Sequence, residues 1–87
     1  IMRRLTATVR QQLLEQNDGF SRTTYYKGNN FREECIYTIS DGELHIRRIG
    51  KTSWADSRFD DESTADDEHT HRFLRKYKDE LDWSDID

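Results

Sequence analysis

The chain has 87 residues and no internal repeat, enough for one domain that buries only about 60 to 65 % of the surface its unfolded form exposes. Leu, Ile, Val and Phe make up just under a fifth of it, yet the net charge is only −4 and two Trp, four Tyr and four Phe supply large burial units, which excludes wholesale disorder. A single cysteine excludes an intramolecular disulfide, and no apolar run is long enough for a signal peptide or a membrane span, so a reducing cytoplasm is the expected compartment.

Leu5, Val9 and Leu13 recur at four-residue spacing and Leu14 widens the stripe, which predicts a first helix over residues 5–17. Thr8 with Gln11 offers a capping box if that helix starts late, and Asn17-Asp18-Gly19 ends it. Residues 20–27, rich in aromatic and β-branched side chains, read as a strand. A turn at Gly28-Asn29-Asn30 leads to a second strand over 31–40. Asp41-Gly42 then starts a third over 43–49, because a type I′ turn needs positive φ at both central residues and Asp followed by Gly tolerates it. Residues 51–59 suggest a short fourth edge strand, with Trp54 or Phe59 closing the end of the core. A second helix is expected over 66–81, with Phe73, Leu74, Tyr77 and Leu81 on one stripe. Asp66, Asp67 and Glu68 sit at its positive end and Arg75, Lys76 and Lys78 toward its negative end. The expected architecture is α+β: a helix, a three-stranded antiparallel meander with that possible edge strand, and a helix, both helices on one face. It forms a single domain over residues 1–87, with 1–4 and 82–87 fraying. Met2 follows Ile1, and both a start at Met2 and a fragment of a longer chain fit.

A two-residue Asp41-Gly42 loop pairs Ser40 with Glu43, Ile39 with Leu44, Tyr37 with Ile46, Ile36 with Arg47 and Cys35 with Arg48. One face then collects Cys35, Tyr37, Ile39, Leu44 and Ile46, joined by Phe31, Tyr26 and Phe20 if the first hairpin turns at Gly28-Asn29. This is the expected core face. The other face shows Tyr25, Arg32, Ile36, His45 and Arg47. Tyr25 beside Arg32 and Ile36 beside Arg47 are the amphipathic pairs that binding surfaces favour, although an ordinary solvated sheet face would show the same alternation.

Charge is segregated. Residues 1–58 carry a net +3 and residues 59–87 a net −7, most of the acid lying in Asp60-Asp61-Glu62, Asp66-Asp67-Glu68 and the closing stretch around Trp83. Such runs form either a solvated loop and tail or a negative surface that docks on a basic partner. An indole inside the acidic tail favours the second, unless Trp83 folds back onto the core.

Motifs for chemistry fail on spacing. Gly50-Lys51-Thr52 resembles the end of a phosphate-binding loop, but His45 stands where that loop needs glycine. Asp67 and His71 share a helical face while His69 and His71 diverge, so no metal site is expected. Cys35 falls among apolar neighbours with His45 on the opposite face, which makes it a small core residue rather than a nucleophile. No catalytic residue and no cofactor is assigned.

The order helix, three strands, helix resembles that of double-stranded RNA-binding domains, in which basic residues opening the second helix clamp phosphates. Asp66-Asp67-Glu68 occupies that position here and would repel them. The expected function is a non-catalytic protein-binding module, such as a small acidic inhibitor, antitoxin, anti-defence or adaptor protein. It would use Asp60, Asp61, Glu62, Asp66, Asp67, Glu68 and Trp83, or the sheet face of Tyr25, Arg32, Ile36, His45 and Arg47, against a basic protein. Two other readings stand beside it. One is binding of single-stranded RNA or DNA on the sheet face through Arg22, Lys27, Arg32, Arg47, Arg48, Lys51 and Arg58. The other is a homodimer joined through strand edges.

Overall fold

A computed structural model describes residues 5–29, 31–52, 57–84 and 86. The element order is α1 (Ala7–Gln16), β1 (Ser21–Lys27), β2 (Phe31–Ser40), β3 (Glu43–Thr52), β4 (Ser57–Thr64) and α2 (Asp67–Lys76). The strands form one open antiparallel sheet in the order β1-β2-β3-β4. The fold is therefore α+β, and the suspected edge strand is a full fourth strand, though it starts at Ser57 rather than Lys51, because Lys51 and Thr52 continue β3. Trp54 and residues 1–4 lie outside the described residues.

Helix α1 starts two residues before the suggested Thr8–Gln11 box. Its N-cap is Thr6, whose hydroxyl accepts from the Val9 N–H at 3.2 Å and satisfies one of the donors that a helix start leaves open. Helix α2 is capped by Asp66, which accepts from the His69 N–H at 2.8 Å. It is shorter than its apolar stripe predicts, because Tyr77 is already the C-cap. Leu81 nonetheless reaches the core from the following turn and is 7 % exposed.

The Asp41-Gly42 turn behaves as expected, with φ of 55° and 73°, and the β2–β3 register is the predicted one throughout. The first hairpin is offset by two residues. Gly28 N–H donates to Phe31 O at 2.8 Å and Lys27 pairs with Arg32, so Tyr25 stands opposite Glu34 rather than Arg32. Because side chains alternate with period two, an offset of two preserves both faces.

Both helices cover the same face. Val9, Leu13 and Leu14 of α1, Phe73 and Leu74 of α2, Ile39 and Leu44 of the sheet, and Leu81 and Ile86 form one buried cluster. Leu13, Ile39, Leu44 and Leu74 are fully buried within it, and each such side chain contributes about 1.5 to 3 kcal/mol. Phe20, Tyr37 and Tyr77 pack on its edge around Phe73, with ring centroids 4.8 to 6.1 Å from that ring. The closing stretch, expected to fray, returns to this core at Ile86, which is 5 % exposed.

A helix of 10 residues is about 15 Å long, whereas strands β2 and β3, also of 10 residues, extend about 33 Å. The helices therefore cover only the end of the sheet near the Asp41-Gly42 turn, and the molecule measures 50 × 25 × 19 Å. Of the predicted core face, Cys35, Phe31 and Tyr26 lie beyond the buried cluster, and Tyr26 is 61 % exposed. Phe59 does not close the core either. Its ring lies over Gly50, directly opposite on β3, with the Arg48 guanidinium 5.6 Å from the ring centroid.

Candidate functional site

The acidic run is an edge strand rather than a loop. Asp has poor intrinsic β preference, but β3 offers Arg47 and Arg48 to the strand beside it, pairing them with Glu62 and Asp61. Asp60 and Glu62 point to the face without helices, here the outer face, and Asp61 to the helix-bearing face. The carboxylate of Asp60 takes both prongs of Arg47, at 2.9 Å from Nε and 2.7 Å from Nη2. This hydrogen bonding holds the Asp60 carboxyl below its ordinary range. The two candidate surfaces, acidic run and sheet face, thus meet at one ion pair. Charges along β4 also blunt an edge that would otherwise pair with another strand.

The second acidic run opens α2. Asp66 is spent on the cap and Glu68 pairs with Arg72 one turn on, while Asp67 is exposed in the first turn. Trp83 is not an exposed anchor. Its Nε1 donates to Lys78 O at 2.7 Å and its ring packs half-buried against the core, so it serves the closing turn.

On the outer face, Tyr25 is 77 % exposed, Ile36 stands beside Arg47 as expected, and His45 lies nearer the turn, between Thr38 and Thr64. Of the cations weighed for nucleic acid, Arg22 pairs with Glu80, Arg47 with Asp60 and Arg48 with Glu33. Lys27, Arg32, Lys51 and Arg58 fall into one line. Lys27 stands opposite Arg32, Arg32 opposite Lys51 and Lys51 opposite Arg58, one cation from each strand. The sequence concealed this row, because it depends on the registers of three hairpins at once.

On the helix-bearing face, Cys35 donates to Glu33 Oε1 at 3.6 Å. Burial and then the neighbouring Glu33 carboxylate push its thiol pKa up, which suits a structural rather than a nucleophilic cysteine. Glu33 itself is held low by its hydrogen bond to Arg48. Among the described residues no group of three or more His, Cys, Asp or Glu side chains is placed to hold a metal ion, and no helix is long and apolar enough to cross a membrane. No family model matches the chain, and comparisons with curated proteins and with solved structures return no match.

Proposed function

We propose that this chain is a non-catalytic protein-binding module of a reducing compartment such as the cytoplasm, docking on a basic protein surface through the β4 edge and the first turn of α2. The observation that supports this reading is the continuity of the acid. Asp60, Asp61 and Glu62 follow one another along a free sheet edge, and Asp66, Asp67 and Glu68 begin three residues after Ser63, all of them exposed. Such an edge offers carboxylates rather than strand pairing, so it selects a partner by charge, as an inhibitor or adaptor of a nucleic-acid-handling protein would. Asp61, Glu62 and Asp67 are the residues to test, since Asp60, Asp66 and Glu68 also hold contacts within the fold.

Affinity capture should compare the unaltered chain with a variant carrying Asp61→Asn, Glu62→Gln and Asp67→Asn. The expected result is a nuclease-resistant protein partner near one-to-one ratio, released by moderate salt and lost with the variant. Equal capture by both would remove the acidic edge from consideration.

A further inference from the structure

We infer that the row Lys27, Arg32, Lys51 and Arg58 is a phosphate-binding track for single-stranded nucleic acid, with Tyr25 as the platform on which a base stacks. The row reaches β4 at Arg58, beside the acidic edge, but the inference does not depend on that edge's docking.

The registers place the four cations side by side across all four strands. All are exposed on the outer face, at the end of the sheet away from the Asp41-Gly42 turn. Adjacent strands lie about 4.8 Å apart, so the row spans roughly 14 Å, enough to follow several consecutive phosphates. Directly opposed like charges destabilise a sheet, and here three such oppositions occur in succession. A polyanion laid across the strands would be met by every member of the row. Arginine presents a planar fork that fits phosphate.

The next row holds Tyr25, Glu34, Ile49 and Asp60. Asp60 is turned to Arg47, and Glu34 stands two residues from Arg32 on the same face. Tyr25 is one of two large exposed hydrophobic side chains among the described residues, at 77 %, and it sits two residues from Lys27 on the same face. A basic line flanked by an exposed ring is how single strands are held without sequence readout: phosphates give affinity and stacking gives grip.

The test uses the whole chain and fluorescently labelled 20-nucleotide oligothymidylate and oligouridylate, read by anisotropy at 50 and 200 mM salt. Binding is expected at the lower salt. The slope of log affinity against log salt should fall by about 0.7 for each phosphate contact removed, through Arg32→Gln or Arg58→Gln. Tyr25→Ala should weaken binding roughly tenfold or more. Thermal melting of Arg32→Gln supplies a readout that a structural role would not give: relieving the central like-charge oppositions should hold or raise the melting temperature while binding falls. Absence of binding at 50 mM salt, or binding unchanged by Arg32→Gln and Arg58→Gln together, would overturn the assignment. So would equal binding of an oligoglutamate of matched charge, or tighter binding to phosphatidylserine vesicles than to either oligonucleotide.

Discussion

Asn17 grips the backbone of Asp82 from both sides, its Nδ2 donating to the Asp82 carbonyl at 3.0 Å and its Oδ1 accepting from the Asp82 N–H at 2.8 Å. The same Nδ2 also caps α1 by donating to Leu13 O at 2.9 Å, and Asn17 is 8 % exposed. One side chain thus ends the first helix and anchors the chain's last turns, where Trp83 and Ile86 pack. Asn17→Ala removes these bonds and leaves the partly buried N–H and C=O of Asp82 without them, at a cost of about 1 to 3 kcal/mol. The urea midpoint should fall with little change in slope. Asn17→Asp keeps the acceptor but loses the donor, and should fall between the two.

Gly50 has no room for a side chain. A Cβ there would collide with the Phe59 ring and approach Arg32 O to 2.9 Å. Gly50→Ala should cost about 1 to 3 kcal/mol by overpacking. Combining it with Phe59→Ala should cost less than the two single changes together, since one removes the other's clash. Additive losses in denaturant melts would contradict the stacking of Phe59 on Gly50.

Among the described residues, three carboxyls titrate below their ordinary range: Glu33 through its hydrogen bond to Arg48, Asp60 through Arg47, and Asp82 through the backbone N–H of Ser84. Folded pKa values below the unfolded ones mean a stability contribution that is complete above about pH 4 to 4.5. It is lost as the pH falls through the depressed folded values. Denaturant midpoints should hold from pH 7 to 5 and drop toward pH 2. In Glu33→Gln part of that drop should be missing.

Cys35 should alkylate slowly with iodoacetamide at pH 7.5 in the folded chain and quickly once unfolded. Burial raises its thiol pKa first and the Glu33 carboxylate second, while Arg48 acts in the opposite direction. Glu33→Gln removes the repulsion and should shift the pH dependence of alkylation to lower pH. An unshifted profile would separate Cys35 from Glu33.

The β2–β3 hairpin was legible because its register is set by a turn two residues long, Asp41-Gly42, whose chemistry is local. The two neighbouring hairpins were less so, for different reasons. At Gly28-Asn29-Asn30 three turn-forming residues compete, and reading the turn one residue early put Arg32 beside Tyr25. At Asp60-Asp61-Glu62 the local preference points to a loop, and the strand forms because Arg47 and Arg48 stand on the neighbouring strand, a pairing no local window contains. The folding back of Trp83 rests likewise on a long-range hold, that of Asn17 on Asp82. The acidic residues were visible as candidates from composition alone. What the sequence hid was which of them are already committed within the fold, and that Lys27, Arg32, Lys51 and Arg58 share a line.

The mismatch between short helices and long strands divides the ladder into two regimes of protection. Amides of Ile39 and Leu44 lie in strand segments roofed by α1 and α2, and can exchange with solvent only when much of the domain opens. Those flanking Tyr26 and Arg32, both exposed, lie beyond that roof and can open without the core. The end of the sheet that carries the cationic row is thus the part able to breathe without unfolding the rest. Amide exchange should slow there first when an anionic strand is bound.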